Sequence, residues 1–167
     1  RNKMVVIEME NGGKIELELY PEHAPKTVAN FLEYCKQGFY NGLIFHRVIK
    51  GFMIQGGGLD SEMDHKEGNP SIENEADNGL KNDKYTIAMA RTNAPHSATS
   101  QFFINTNDND FLNHTSKTLD GWGYCVFGKV IKGQEVVDEI EKVKTTRVGM
   151  YRDVPSENII ITNVTVE

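Results

Sequence analysis

The chain is poor in the residues that staple or anchor proteins. Its 167 residues include two cysteines, one tryptophan and five prolines. No apolar run exceeds four residues, so no segment reads as a membrane-spanning helix, which takes ~20. No basic start, long apolar stretch and small-residue cleavage site mark a secretory signal. Cys35 and Cys125 stand ninety residues apart. They make no CxxC pair and no zinc spacing, and read as two semi-buried, reduced thiols of a cytoplasmic protein. No metal is expected. The five histidines, at 23, 46, 65, 96 and 114, form no HExxH, and no GxSxG elbow accompanies them. Ser97 and Ser100 near His96 read as a polar loop rather than a hydrolase pair. Gly56-Gly57-Gly58 lacks the Lys-Ser/Thr of a phosphate loop and fails the GxGxxG spacing. A bulge or a close backbone approach is the better reading. The net charge of −6 argues against nonspecific nucleic-acid binding, which needs a basic footprint.

What is present is a series of short strands. Met4–Met9 and Lys14–Leu19 flank Asn11-Gly12, the strongest short hairpin signal, and Ile15, Leu17 and Leu19 alternate with Glu16 and Glu18. Val28, Phe31, Leu32 and Cys35 fall at i, i+3, i+4 and i+7, an apolar helical stripe between Pro25 and Gly38. Strand-like runs follow at 44–48, 52–55, 85–90, 101–105, 125–130 and 159–166, with a helical turn at 108–112. Val136, Val137 and Ile140 mark a second short helix after Gly133. The segment 59–84 is the longest loop, and its length alone makes it a candidate functional loop. Eight short strands and two separate helices predict a mainly β protein, a closed eight-stranded antiparallel barrel capped by two α-helices. Arg1-Asn2-Lys3 precede the first Met and read as residues foreign to the native start, outside the fold. Residues 4–167 then form a single domain. A trimmed precursor is the alternative, and it would reopen secretion.

One block is specific. Phe45-His46-Arg47-Val48-Ile49-Lys50-Gly51-Phe52-Met53-Ile54-Gln55-Gly56-Gly57 resembles the signature of the cyclophilin family of peptidyl-prolyl cis-trans isomerases. Ser100-Gln101-Phe102-Phe103-Ile104 and Val126-Phe127-Gly128-Lys129-Val130 resemble two further signatures, in the right order. Ala24–Phe31 is similar to the start of the family's first helix. The segments 89–99 and 121–125 look like the small bacterial cytosolic branch.

The resemblance implies the eight-stranded barrel and isomerisation of X–Pro bonds with no cofactor. It makes Arg47 the catalytic arginine. Phe52, Met53, Phe103 and Leu112 become the proline pocket, and Gln55 the polar group facing the substrate backbone. Ala90, Arg91 and Thr92 begin the loop beside the peptide, and Gln101 stands at the rim of the neighbouring pocket. Two positions depart from the best-known form: Phe111 stands for its tryptophan and Tyr124 for its pocket histidine. The first removes an indole N–H donor, so a cyclosporin-type ligand is expected to bind weakly, if at all. Implied partners are proline-containing peptides and unfolded proteins, met by a monomer. Without the resemblance Arg47 reads as a surface arginine, and Phe52, Met53 and Phe103 as plain core. A noncatalytic proline-peptide module or holdase on the same barrel is the alternative function. A small-molecule carrier with an open barrel interior is a third.

Overall fold

The computed structural model describes residues 1–167. Ten strands, β1 (Lys3–Met9), β2 (Lys14–Leu19), β3 (Arg47–Ile49), β4 (Met53–Gly56), β5 (Thr86–Met89), β6 (Phe102–Asn105), β7 (Val126–Lys132), β8 (Thr145–Val148), β9 (Tyr151–Pro155) and β10 (Ile161–Val166), accompany helices α1 (Pro25–Lys36) and α2 (Gln134–Glu141). Eight strands form one antiparallel sheet in the order β10-β1-β2-β7-β5-β6-β4-β3, and β8 and β9 pair apart from it. The expected eight strands and two helices are thus present.

Three expectations need correction. The barrel is not closed by a ladder, because the edge strands β3 and β10 do not pair. The irregular chain before β3 stands between them. An isolated bridge of Ile44 with Ile160 and bonds from Phe45 N to Ile159 O (3.0 Å) and Ile161 N to Leu43 O (2.8 Å) span the seam. The sheet is a half-barrel stitched at that seam. Next, the β8–β9 hairpin is absent from the expected strands. Thr145–Val148 is exposed on both faces, so no apolar alternation marks it. Finally, Lys3 lies inside the fold, paired with Leu19 at the start of β1. Ladder bonds are made by backbone, whatever the side chain.

Local chemistry explains the element boundaries. Asn11-Gly12 turns the first hairpin, but only Gly12 takes positive φ, +93°. Asn11 instead accepts a bond from Gly13 N at its Oδ1, 2.9 Å. Pro25 opens α1, and Gly38, φ +68°, closes it. No residue near the start of α1 caps it. The distant Glu75 does, accepting from Lys26 N, Thr27 N and Thr27 Oγ1 at 3.2, 2.8 and 2.7 Å. A carboxylate there satisfies orphan N–H groups and complements the helix dipole.

Strand alternation sends one set of side chains inward. Val48, Ile54, Ile104, Ile87 and Phe127 join the main core with Phe31 and Tyr34 of α1. Both cysteines belong to this core, more deeply buried than expected, and burial pushes both thiols up to about 12. The filled interior leaves no lumen for the small-molecule carrier.

Candidate active site

The opposite set of side chains builds a second, separate apolar cluster on the outer face of the half-barrel. Register places it. Arg47 lies opposite Gln55, Gln55 opposite Phe103, Phe103 opposite Ala88, and Ala88 opposite Val126. This is one row across five strands, whose neighbours sit about 5 Å apart. Met53, on the same face, lies between Ile49 and Asn105. Met53, Ala88, Ala90, Phe103, Leu112 and Val126 form the buried floor, with Phe52 and Tyr124 half-buried against it. The row is therefore apolar at its centre and polar where it meets the sheet edge.

At that edge Arg47 Nη1 donates to Gln55 Oε1 (3.3 Å), and Gln55 Nε2 donates to Gln101 Oε1 (2.9 Å). This chain fixes the amide of Gln55 and steers the half-buried guanidinium. The three glycines after Gln55 are a close backbone approach, as expected. A Cβ at Gly56 would lie 2.6 Å from Ile44 O, and one at Gly57, φ +90°, would lie 2.8 Å from the Phe102 ring. A Cβ at Gly58 would overlap the side chain of Gln101.

The rim comes from loops. Phe111 is 74 % exposed and stacks on Phe52 with centroids 5.6 Å apart. Tyr124 meets Phe103 edge-on at 5.8 Å, and the Arg91 guanidinium lies 4.4 Å over its ring. Arg91 is also bonded to Gly123 O (2.9 Å) and Thr92 O (2.9 Å). Thr92 stands apart from the cluster, exposed, with its Oγ1 donating to Ser97 Oγ at 2.8 Å. Ala90 is tied to Gln101 by its backbone N–H, 3.0 Å. Of the twelve expected site residues, then, Thr92 alone is held within its own loop.

Sequence reasoning missed what holds the rim. Asn82, Asn105 and Asn109 are buried. Asn105 Nδ2 donates to Asn82 Oδ1 (3.0 Å) and Thr86 Oγ1 (2.9 Å). Asn109 Nδ2 donates to Asn105 Oδ1 (2.8 Å) and Phe52 O (2.9 Å). Asn82 Nδ2 donates to Leu112 O (3.3 Å) and Tyr124 O (3.2 Å). Three side-chain amides thus tie the backbones of Phe52, Leu112 and Tyr124 together. In a sequence, asparagines between strands signal only turns.

Trp122 packs between His96 and His114, centroids 4.8 and 5.1 Å away. His96 Nδ1 accepts from Asn74 N at 3.0 Å, and Ser97 Oγ donates to Ala94 O at 2.6 Å. No hydrolase pair exists there. A groove of about 780 Å³ between α2, the β1–β2 turn and Ser156–Ile160 contains none of the row residues.

The chain matches the family of cyclophilin type peptidyl-prolyl cis-trans isomerases over residues 4–166. It is 59 % identical over 156 residues to peptidyl-prolyl cis-trans isomerase B of Escherichia coli, covering 93 % of this chain and 95 % of that one. It is 60 % identical over 151 residues to a peptidyl-prolyl cis-trans isomerase of Streptomyces antibioticus, covering 90 % and 91 %. Among solved structures, a cyclophilin type peptidyl-prolyl cis-trans isomerase of Cryptosporidium parvum superposes with TM-score 0.84 at 30 % identity, over 100 % of this chain and 98 % of the other. A second structure of the Cryptosporidium protein, determined in the presence of the dipeptide Ala-Pro, gives TM-score 0.82 at 30 % identity, over 98 % of each chain. With these relatives, this fold and a row running from Arg47 to an apolar floor, the chain belongs to the cyclophilin family of peptidyl-prolyl cis-trans isomerases.

Proposed function

We propose that residues 4–167 act as one isomerase unit in which Arg47 is the catalytic residue and the outer apolar cluster holds the proline ring. The X–Pro amide is planar by resonance, with a rotation barrier of ~18–20 kcal/mol. A turnover of ~10³ s⁻¹ against an uncatalysed half-time of tens of seconds or more requires about five decades, or roughly 7 kcal/mol. In the twisted transition state the prolyl nitrogen loses resonance and accepts a hydrogen bond. A donor aimed at it acts there and not in the ground state, the difference that accelerates a reaction. The carrying observation is the position of Arg47. Its guanidinium is held by Gln55 at the polar end of a row whose centre is apolar. Arginine stays protonated at any working pH.

One such donor contributes about 3–4 kcal/mol by comparison with oxyanion-hole donors. The rest we assign to positioning and desolvation over Met53, Phe103 and Leu112, all at most 8 % exposed. The twisted amide is less dipolar than the planar one, so a dry floor favours it. Phe52 and Phe111 form the rim on the ring side. Gln55 meets the substrate backbone, and Gln101 borders the next pocket with Ala90 and Tyr124. Arg91 acts through Tyr124, over which it is stacked. Thr92 lines the approach from its own loop. The substrates are proline-containing segments of unfolded or flexible chains, in keeping with the Ala-Pro dipeptide of the Cryptosporidium structure. Phe111 offers no N–H, and a cyclosporin-type ligand binds weakly. Two unpaired buried thiols suit a reducing compartment, and we place this monomeric enzyme in the cytoplasm.

The test is an X–Pro peptide assay on purified protein. Arg47→Ala is expected to lose about two decades or more of kcat/KM, the worth of the donor. Equal rates for wild type and variant would overturn the mechanism. Peptide binding without isomerisation would favour the holdase.

A further inference from the structure

The segment after α2 is unlike the rest of this acidic chain. From Lys142 to Arg152 it carries four cations, Lys142, Lys144, Arg147 and Arg152, and no carboxylate, in a protein of net charge −6. All four are exposed, and none takes part in an ion pair. Among them stand Val148, Tyr151 and Met150, the last 93 % exposed. Arg147 and Arg152 lie in the β8–β9 hairpin, whose one carboxylate is Asp153, and Lys142 and Lys144 lead into it. Of the four only Arg147 is tied down, its Nε donating to Gly149 O at 3.1 Å.

That hairpin adjoins the isomerase row. β9 packs on β3, the edge strand of the large sheet. The Tyr151 ring meets His46 edge-on, centroids 6.2 Å apart, and Arg47 is the next residue. A chain lying along the row and leaving it past Arg47 therefore meets the hairpin. An extended chain advances ~3.3 Å per residue, so client residues roughly three to six positions from the proline come within its reach.

We propose that the β8–β9 hairpin is a second contact for the client chain, taking a flanking segment that carries acidic and apolar residues while the X–Pro bond lies at Arg47. This rests on the assignment of Arg47 above. Two electrostatic effects compete, and their signs differ. The molecule as a whole repels an acidic peptide and attracts a basic one. The hairpin does the reverse, over a distance comparable with the ~8 Å screening length at physiological salt. For flanks within its reach the local effect dominates.

The experiment compares three substrates: a short Ala-Ala-Pro-Phe peptide, and two longer peptides with that core flanked on both sides by Asp/Leu or by Lys/Leu. Wild type is expected to give a kcat/KM roughly three- to tenfold higher for the acidic flanks, the size of two or so exposed ion pairs, fading with added salt. Arg147→Glu with Arg152→Glu reverses the preference. Met150→Ser lowers kcat/KM for both long peptides. The short peptide turns over equally in all three proteins, which also reports that the variants fold. Equal rates for the two long peptides, a preference for basic flanks, or an acidic preference that survives the double substitution would overturn the hairpin assignment alone. A short peptide left uncatalysed by wild type would overturn the Arg47 assignment, and this one with it.

Discussion

Arg47 owes its position to a glycine eleven residues away. Gln55 steers the guanidinium, Gln101 holds Gln55, and the space for Gln101 exists because Gly58 has no side chain. Gly58→Ala must push Gln101 aside while leaving the apolar floor intact. A displacement of about 1 Å at a positioning group can cost as much as two decades of rate. We therefore expect roughly a tenfold fall in kcat/KM on a short X–Pro peptide with KM little changed. Unaltered kcat/KM would show that the Gln55–Gln101 bond contributes nothing to positioning. The residue types of the site are legible in the sequence, because Arg47, Gln55 and Phe103 fall within continuous signature blocks. Their partnership is not. Forty-six residues separate Gln55 from Gln101, and only the ladder through β6 brings them together.

At the scale of elements, the strands are largely legible and the loops are not. Alternation marks β2, and an apolar stripe marks α1, because one face of each is buried and the other wet. The same logic fails for β8, exposed along its whole length, and for the asparagines that tie the rim. Asn105 bonds three partners, Asn82, Thr86 and Asn109. Asn105→Ala leaves their polar groups short of bonds, and each buried unsatisfied group costs about 1–3 kcal/mol. The expected loss is about 2–3 kcal/mol in urea unfolding, with a weakened kcat/KM because Phe52 and Leu112 lose their common anchor. Full stability in Asn105→Ala would remove the network from any account of the rim.

For the whole molecule, His46 sets part of the pH response. It is 5 % exposed, its Nδ1 has no hydrogen-bond partner, and burial, helped by the Arg47 charge, lowers its pKa to about 4. The unfolded chain, with an ordinary histidine pKa near 6.5, binds the proton more readily than the folded one. Stability therefore rises with pH across this window, and is lost as pH falls from about 6.5 through about 4. His46 alone is expected to remove about 2 kcal/mol between pH 7 and 4.5. Urea midpoints for wild type and His46→Leu at the two pH values measure it. Equal slopes would show that His46 carries none of the dependence. Activity, by contrast, is expected to stay nearly flat from about pH 6 to 9, since the proposed donor is a guanidinium, a group that stays charged at any working pH, and His46 is already neutral.

Period and signature were enough for the eight strands of the large sheet, both helices and the residue types of the row, because a half-buried strand or helix writes its exposed face into local spacing. The family resemblance rested on the same short-range information. Three features needed the folded chain: the seam left unpaired between β3 and β10, the Glu75 cap on α1, and the basic hairpin beside Arg47. Each joins groups distant in sequence through backbone or polar contacts. Such contacts depend on where the sheet curls and leave no period behind.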